Sequence, residues 1–205
     1  MVRLLHRFWR DERGLSLTEA LFTLPIMLLM IAAFVEFGFA IYQWNQTAKA
    51  MQLGARLLAV SDPIHPNFAL MSNYDAALEP GDPVPADGFA LRCGAGQATP
   101  CLADGMERLI KGSDRTCGPS FGTTSGMCDF NPRINAGNVV VTYARTGLGY
   151  VGRPGGPVVS VTVETNGLRF NLPLLGALLG WNENSGITVP ANPVTVVGED
   201  LRSGP

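Results

Sequence analysis

Residues 14–60 read GLSLTEALFTLPIMLLMIAAFVEFGFAIYQWNQTAKAMQLGARLLAV, a long apolar segment that becomes amphipathic towards its end. Between Glu19 and Lys49, the one residue with a formal charge is Glu36. As an α-helix, the stretch from Leu15 to Tyr42 would extend roughly 42 Å at 1.5 Å per residue. A hydrocarbon core of about 30 Å needs about 20 residues. The segment therefore predicts one membrane-spanning helix.

The start of this segment differs from both a secretory signal and an ordinary anchor. No A-x-A cleavage site follows the apolar run, and the small residue Gly14 precedes it instead. Glu19 lies inside the run, where a carboxylate costs about 2.5–3.5 kcal/mol on insertion scales, so a functional partner is expected. A cut after Gly14 would create an α-amine on Leu15, one helical turn from Glu19. The alternative is a glutamate that snorkels to the headgroups.

The residues around Gly14 resemble the cleavage site of type IV prepilins, where a prepilin peptidase cuts after the glycine. A longer pattern resembles the TadE-like minor pilins of the tight-adherence (Tad, Flp) pilus. The resemblance covers residues 1–60 closely and the C-terminal strands loosely. The matching positions are Arg13-Gly14, Thr18-Glu19-Ala20, Leu24-Pro25, Glu36-Phe37-Gly38 and Ala55-Arg56.

This resemblance implies a pilin-like subunit of a Tad pilus that acts in pilus assembly and surface adherence and is not an enzyme. Its partners would be the prepilin peptidase, other pilin or pseudopilin subunits, the assembly platform and the membrane. The subunit would enter the filament or remain at its base. Gly14, Leu15 and Glu19 would form the cleavage site, and Pro25, Glu36 and Gly38 would be helix-packing positions.

The charge distribution indicates the orientation of the chain. Residues 1–14, the predicted cytoplasmic leader, contain four arginines and two acidic residues, and the remainder has 11 basic and 15 acidic residues, a net charge of −4. Basic residues beside a span favour the cytoplasmic side. We therefore expect a single-pass protein of a bacterial inner membrane with its C-terminal domain in the periplasm. No basic face for nucleic acid is present in the sequence.

The cysteines agree with export, because an even number of cysteines in an oxidising compartment favours disulfides. Two bonds are predicted, with three possible pairings. No two cysteines have the C-x2-C spacing of zinc sites, so we expect no metal and no cofactor. The four residues are Cys93, Cys101, Cys117 and Cys128.

Beyond the span of residues 15–42, the sequence divides into three further segments. Residues 43–61 carry an apolar stripe and predict an amphipathic stalk helix, packed on its own domain, on neighbouring helices or on both. Residues 62–137 are loop-rich and contain the cysteines, with one helical piece at Met106–Lys111. Residues 138–205 are β-rich, with strands at 138–145 and 157–165 and an edge strand broken by prolines within 186–198.

Two short motifs within the β-rich segment have competing interpretations. Gly147–Gly152 matches G-x-G-x-x-G, but a strand rather than a helix follows, which favours a hairpin loop over a nucleotide site. Leu172–Trp181 is apolar and too short to span a membrane. It predicts a short buried helix, and the alternative is a membrane- or partner-facing patch.

The predicted fold class is therefore α+β. A long N-terminal transmembrane and stalk helix is followed by a disulfide-stapled, mainly antiparallel β domain, as in pilins. The sequence has no G-x-S-x-G, H-E-x-x-H or Walker motif, and no small-molecule substrate is expected. Two other functions fit the sequence. One is a periplasmic binding module on an uncleaved anchor, and the other is a type II secretion pseudopilin, which shares the cleavage but has different partners.

Overall fold

A computed structural model describes residues 13–118, 124–154, 156–180 and 187–198. The predicted leader up to residue 12 and residues 181–186, which include Trp181, lie outside the described residues. The chain forms two compact units. The first contains residues up to Ile41 together with 171–186, and the second contains residues 42–170 together with 187–205.

Helix α1 extends without interruption from Arg13 to Ala59. From Thr18 onwards it is long and apolar enough to cross a membrane, and its most apolar stretch is almost wholly exposed. A core helix of a soluble protein would instead bury such a stretch. The helix is therefore a candidate membrane span, as the sequence predicts.

The second unit is built on a four-stranded antiparallel sheet in which spatial order follows chain order. Its strands are β1 (Ala90–Gly94), β2 (Val139–Ala144), β3 (Val159–Thr165) and β4 (Val194–Gly198). The position of β4 confirms the predicted edge strand. Sequence analysis did not predict β1, which comes from the loop-rich segment and pairs with β2 from Ala90↔Ala144 to Gly94↔Val140.

Alternate residues of the two central strands fill the core on one side of the sheet. Val141, Tyr143 and Val161 have no exposed surface, and the end of α1 contributes Met51 and Leu58 to the same core. This is the period-two burial expected of a sheet with one covered face. The amphipathic part of α1 therefore packs on its own domain, one of the two roles considered for it.

A second helix, α2 (Ala103–Lys111), confirms the helical piece predicted near Met106. The backbone after α2 meets the segment at residue 126 very closely, because a Cβ added to Gly126 would lie 2.2 Å from the carbonyl oxygen of Ile110 and 2.3 Å from the nitrogen of Gly112. No side chain fits in such a contact. The described part of this unit also contains short 3-10 helices at Phe68–Ser72, Met127–Asp129 and Ala136–Asn138.

Two disulfides staple the domain, as the sequence predicts. Of the three possible pairings, the structure has the sequential one, Cys93–Cys101 and Cys117–Cys128. The first bond begins in β1, and the second joins the segment after α2 to the 3-10 helix that starts at Met127. Both bonds therefore fix irregular chain to regular structure. With the long helix and the antiparallel sheet, they confirm the predicted α+β fold class.

The G-x-G-x-x-G stretch lies in the connection between antiparallel β2 and β3 and is not followed by a helix. The apolar segment after β3 forms a short helix, α3 (Pro173–Leu179), in the first unit. The prediction of a buried helix is wrong, because Leu174 and Leu178 are 50% and 70% exposed. A contact with α1, described below, holds this helix without burying those two side chains.

Candidate membrane and subunit-packing site

The predicted cleavage site lies at the beginning of α1. The helix starts at Arg13, so Gly14 and Leu15 are already in its first turn. Glu19 is exposed and follows Leu15 by four residues, which places both on one side of the helix. An amine created at Leu15 would thus lie one helical turn from Glu19.

Pro25 and Gly38, two predicted packing positions, lie inside α1 on its apolar part. The helix continues through Pro25 without a break. A Cβ added to Gly38 would have no heavy atom within 4 Å. Gly38 therefore presents a smooth, open stretch of helix surface on which another helix backbone could approach closely.

Glu36, the third predicted packing residue, is in a different setting. Only 2% of it is exposed, although the residues around it on α1 are mostly open. One oxygen of its carboxylate accepts a hydrogen bond from the backbone N–H of Leu174, in the first turn of α3. This bond holds the first turn of α3 beside α1.

No local pattern in the sequence joins Glu36 to Leu174, because the two residues are 138 positions apart. The sequence marks each partner only by itself. Glu36 is a lone charge within an apolar helix, and Leu174 lies in a short apolar segment with Pro173 in its first turn. An acceptor with a negative charge is favoured at a helix N-terminus, where N–H groups lack partners within the helix.

Buried hydrogen bonds attach the C-terminal part of α1, the predicted stalk of residues 43–61, to the rest of the second unit. The side-chain amide of Asn131 donates to the hydroxyl of Thr47 at 2.9 Å, and that hydroxyl donates to the carbonyl of Gln43 at 2.8 Å. At the other end of the stalk, the backbone N–H of Ile64 donates to the Tyr143 hydroxyl at 3.1 Å. Burial raises the pKa of Tyr143 to about 12, although the Ile64 N–H bond acts in the opposite direction. The core thus holds a neutral phenol at the point where the chain leaves α1.

Arg145 fastens the loop that precedes β1. Its guanidinium pairs with Asp87 at 2.7 Å and donates to the backbone oxygen of Asn73 at 3.0 Å. It also lies over the rings of Tyr74 and Phe89, 5.4 and 4.6 Å from their centroids. Because Arg145 is itself buried, this is a structural clamp for a loop that has little regular structure of its own.

One concave feature lies between the end of α1 and α2, wholly within the second unit. Its volume is about 470 Å³, and its wall includes Leu58, Ile64 and Leu109 with Asp104 and Arg108. The wall is thus mainly apolar and includes one charged pair, Asp104 and Arg108. Among the residues that the structure describes, no group of three or more His, Cys, Asp or Glu side chains is placed to hold a metal ion.

Comparison with known families bears on the helix. The family model described as TadE-like protein matches residues 14–56, from the glycine of the predicted cleavage site almost to the end of α1. No curated protein and no solved structure matches the chain. The match ends before the sheet, so it concerns the element that carries the candidate site. Over residues 14–56, the chain is therefore similar to the family model described as TadE-like protein.

Proposed function

We propose that this chain is a minor pilin or pseudopilin subunit of a Tad (Flp) type IV pilus, and that a prepilin peptidase cuts it between Gly14 and Leu15. The observation that carries the proposal is a coincidence of positions. The family match starts at Gly14, the long apolar helix starts at Arg13, and Glu19 lies one turn beyond the future N-terminus.

The surface of α1 supports a role within a membrane and among other helices. Large side chains such as Phe22, Phe34 and Phe37 are about two-thirds exposed or more. A contiguous apolar surface of this size is rare on soluble monomers and marks a membrane or protein contact. In the proposed function, lipid covers this surface before assembly and neighbouring helices cover it afterwards.

The proposed role of Glu19 is to recognise a neighbouring subunit. Removing the leader leaves one positive charge at Leu15 and one negative charge at Glu19 in the same apolar layer. Each group is costly to place in hydrocarbon without an opposite charge. A pairing between the amine of one chain and the carboxylate of the next would neutralise both groups and fix the axial position of the new subunit.

The leader arginines and the disulfides support the proposed topology, with the N-terminus in the cytoplasm and the domain in the periplasm. The second unit would then be the exported part that presents the subunit to its partners. We expect a structural subunit without catalytic activity, acting in pilus assembly and surface adherence through the pilin subunits and platform it contacts.

Intact mass and N-terminal sequencing of the membrane-extracted protein test the cleavage. The mature chain should begin at Leu15, with or without a methyl group on its amine. Replacing Gly14 by leucine should leave the precursor uncut in the membrane, because the peptidase requires the small residue. A mature form that begins elsewhere would contradict the proposal.

Co-purification tests the role of Glu19. Glu19→Ala should insert and be cut normally but should no longer co-purify with pilin subunits or the assembly platform. Thr18→Ala, a change at the adjacent exposed position, serves as the matched control and should co-purify as the natural protein does. Equal recovery with Glu19→Ala would remove the subunit-packing role of the carboxylate.

A second candidate function is a periplasmic binding module on an uncleaved anchor. The cavity of about 470 Å³ in the second unit favours it. The state of the bond between Gly14 and Leu15 distinguishes the two candidates. An intact N-terminus in native membranes supports the binding module, and a cut after Gly14 supports the pilin.

A further inference from the structure

The segment that contains α3 is apolar on every side. From Leu172 to Gly180 the sequence is LPLLGALLG, without a charged or hydrogen-bonding side chain. A helix that is apolar all round requires cover from lipid or protein. The first unit does not supply this cover for Leu174 and Leu178, four residues apart on one face, which are 50% and 70% exposed.

The backbone of α3 is suited to an environment without water. Pro173, in the first turn, has no N–H to satisfy. The N–H of Leu174 is bonded to the Glu36 carboxylate, and the N–H of Gly176 to the carbonyl of Leu172. At the other end, the N–H of Gly180 donates to the carbonyl of Gly176. In hydrocarbon, backbone groups must find such partners within the protein.

The position of α3 along α1 places it near one boundary of a bilayer. Glu36 follows Leu15 by 21 positions, which corresponds to roughly 32 Å along a helix axis. This is about the thickness of a hydrocarbon core. If the helix spans from Leu15, the Glu36 carboxylate and α3 therefore lie at the outer boundary, on the periplasmic side.

We propose that α3 is a second membrane-contacting element, which rests in the outer boundary of the bilayer and inserts Leu174 and Leu178 between phospholipid acyl chains. Helix α3 contacts α1 at Glu36, and the side chains of Phe34, Val35 and Phe37, next to Glu36 in the sequence, are exposed. This attachment to the proposed span, at the expected boundary of the bilayer, favours lipid as the occupant over a neighbouring subunit. The inference rests on the span but not on leader cleavage.

Site-specific fluorescence in vesicles tests the proposal. All four native cysteines are in disulfides, so one introduced cysteine can be labelled selectively with an environment-sensitive dye. The probe position is Leu178→Cys in the full chain, reconstituted at high dilution in phosphatidylcholine and phosphatidylglycerol vesicles. Leu28→Cys, in the middle of the predicted span of residues 15–42, is the control for the span. Leu70→Cys, an exposed leucine of the second unit, is the control for water exposure.

Lipids that carry a spin label close to the headgroup should quench most of the Leu178→Cys fluorescence, and a label at the end of the acyl chain should quench it less. Leu28→Cys should show the reverse order, and Leu70→Cys should be quenched by neither lipid. Glu36→Ala should reduce the quenching at residue 178 and leave residue 28 unchanged. Glu36→Gln, which keeps an acceptor oxygen, should retain most of it.

The controls separate the two ways in which the idea can fail. Quenching at residue 28 without quenching at residue 178 overturns the role of α3 and leaves the span intact. Lipid would then be excluded as the cover of Leu174 and Leu178, and a neighbouring subunit would be the remaining occupant. Absence of quenching at residue 28 overturns the span itself. Equal quenching at residues 70 and 178 would show unspecific contact with the vesicle and contradict the proposal.

Discussion

Replacing Tyr143 by phenylalanine tests how the domain holds the end of α1. The substitution keeps the ring, its place in the core and its edge contact with Phe68, at 5.2 Å between ring centroids. It removes the hydroxyl that accepts the backbone N–H of Ile64. A buried donor left without a partner costs about 1–3 kcal/mol. We therefore expect the free energy of unfolding at pH 7 to fall by about 1–2 kcal/mol.

The dependence on pH gives a second, sharper expectation. The pKa of Tyr143 is raised from 10.0 to about 12 in the folded protein. A raised pKa means that this group contributes its full stabilisation below pH 10 and loses it as the pH rises through 12. Two pKa units correspond to about 2.7 kcal/mol, as an order of magnitude. The phenylalanine variant cannot lose this contribution, so the difference between the two proteins should shrink and then reverse at alkaline pH.

Urea unfolding of the full chain in detergent micelles, read out by pulse proteolysis of the second unit, measures both quantities. The other titrating side chains are common to both proteins, so the difference between their curves isolates residue 143. Tyr150→Phe, at a ring that is 47% exposed, is the matched control and should behave as the natural protein. Parallel pH dependences of the natural protein and Tyr143→Phe between pH 10 and 12 would refute the reasoning.

Three further changes test the domain. Gly126→Ala should cost roughly 3 kcal/mol or more in urea unfolding because the new methyl meets backbone on two sides, whereas Gly38→Ala, at an open position, should leave the stability of the second unit unchanged. Replacing Cys117 and Cys128 together by serine should lower the free energy of unfolding by about 2–4 kcal/mol, and alkylation of the natural protein without reduction should label no cysteine. Arg145→Met should cost about 1–3 kcal/mol through lost hydrogen bonds and should increase proteolytic cleavage of the loop before β1.

The parts of the fold that sequence analysis predicted are those with a local signal. The length and composition of residues 15–42 predict the span, and the alternation of β-branched and polar residues around Val141 and Val161 predicts the central strands. This alternation has a direct physical origin, because successive side chains of a strand point to opposite faces of the sheet. Each of these patterns is contained in a segment of about ten to thirty residues, so it can be recognised without knowing which other segment packs against it.

The parts that sequence analysis missed depend on contacts between distant residues. Strand β1 is short, and Cys93 and Gly94 at its end obscure its alternation, so only its pairing with β2 identifies it. Glu36 carried a signal as the lone charge of the span, but its bond to Leu174 comes from tertiary packing. The buried donation from Asn131 to Thr47 had no signal, since both residues are common on surfaces.

In the proposed topology, the pairing of sequence-adjacent cysteines has a consequence for the order of events during export. Each bond joins cysteines 8 or 11 positions apart, so both partners of a bond leave the membrane channel within moments of each other. Neither bond encloses a cysteine of the other, so the thiols that emerge together are already the correct ones. In the proposed topology, residues 93–128 reach the periplasm before residues 159–198, so both bonds can form while β3 and β4 are still in the cytoplasm. If the domain is exported as proposed, we therefore expect a thiol oxidase to form both bonds with little need for a disulfide isomerase.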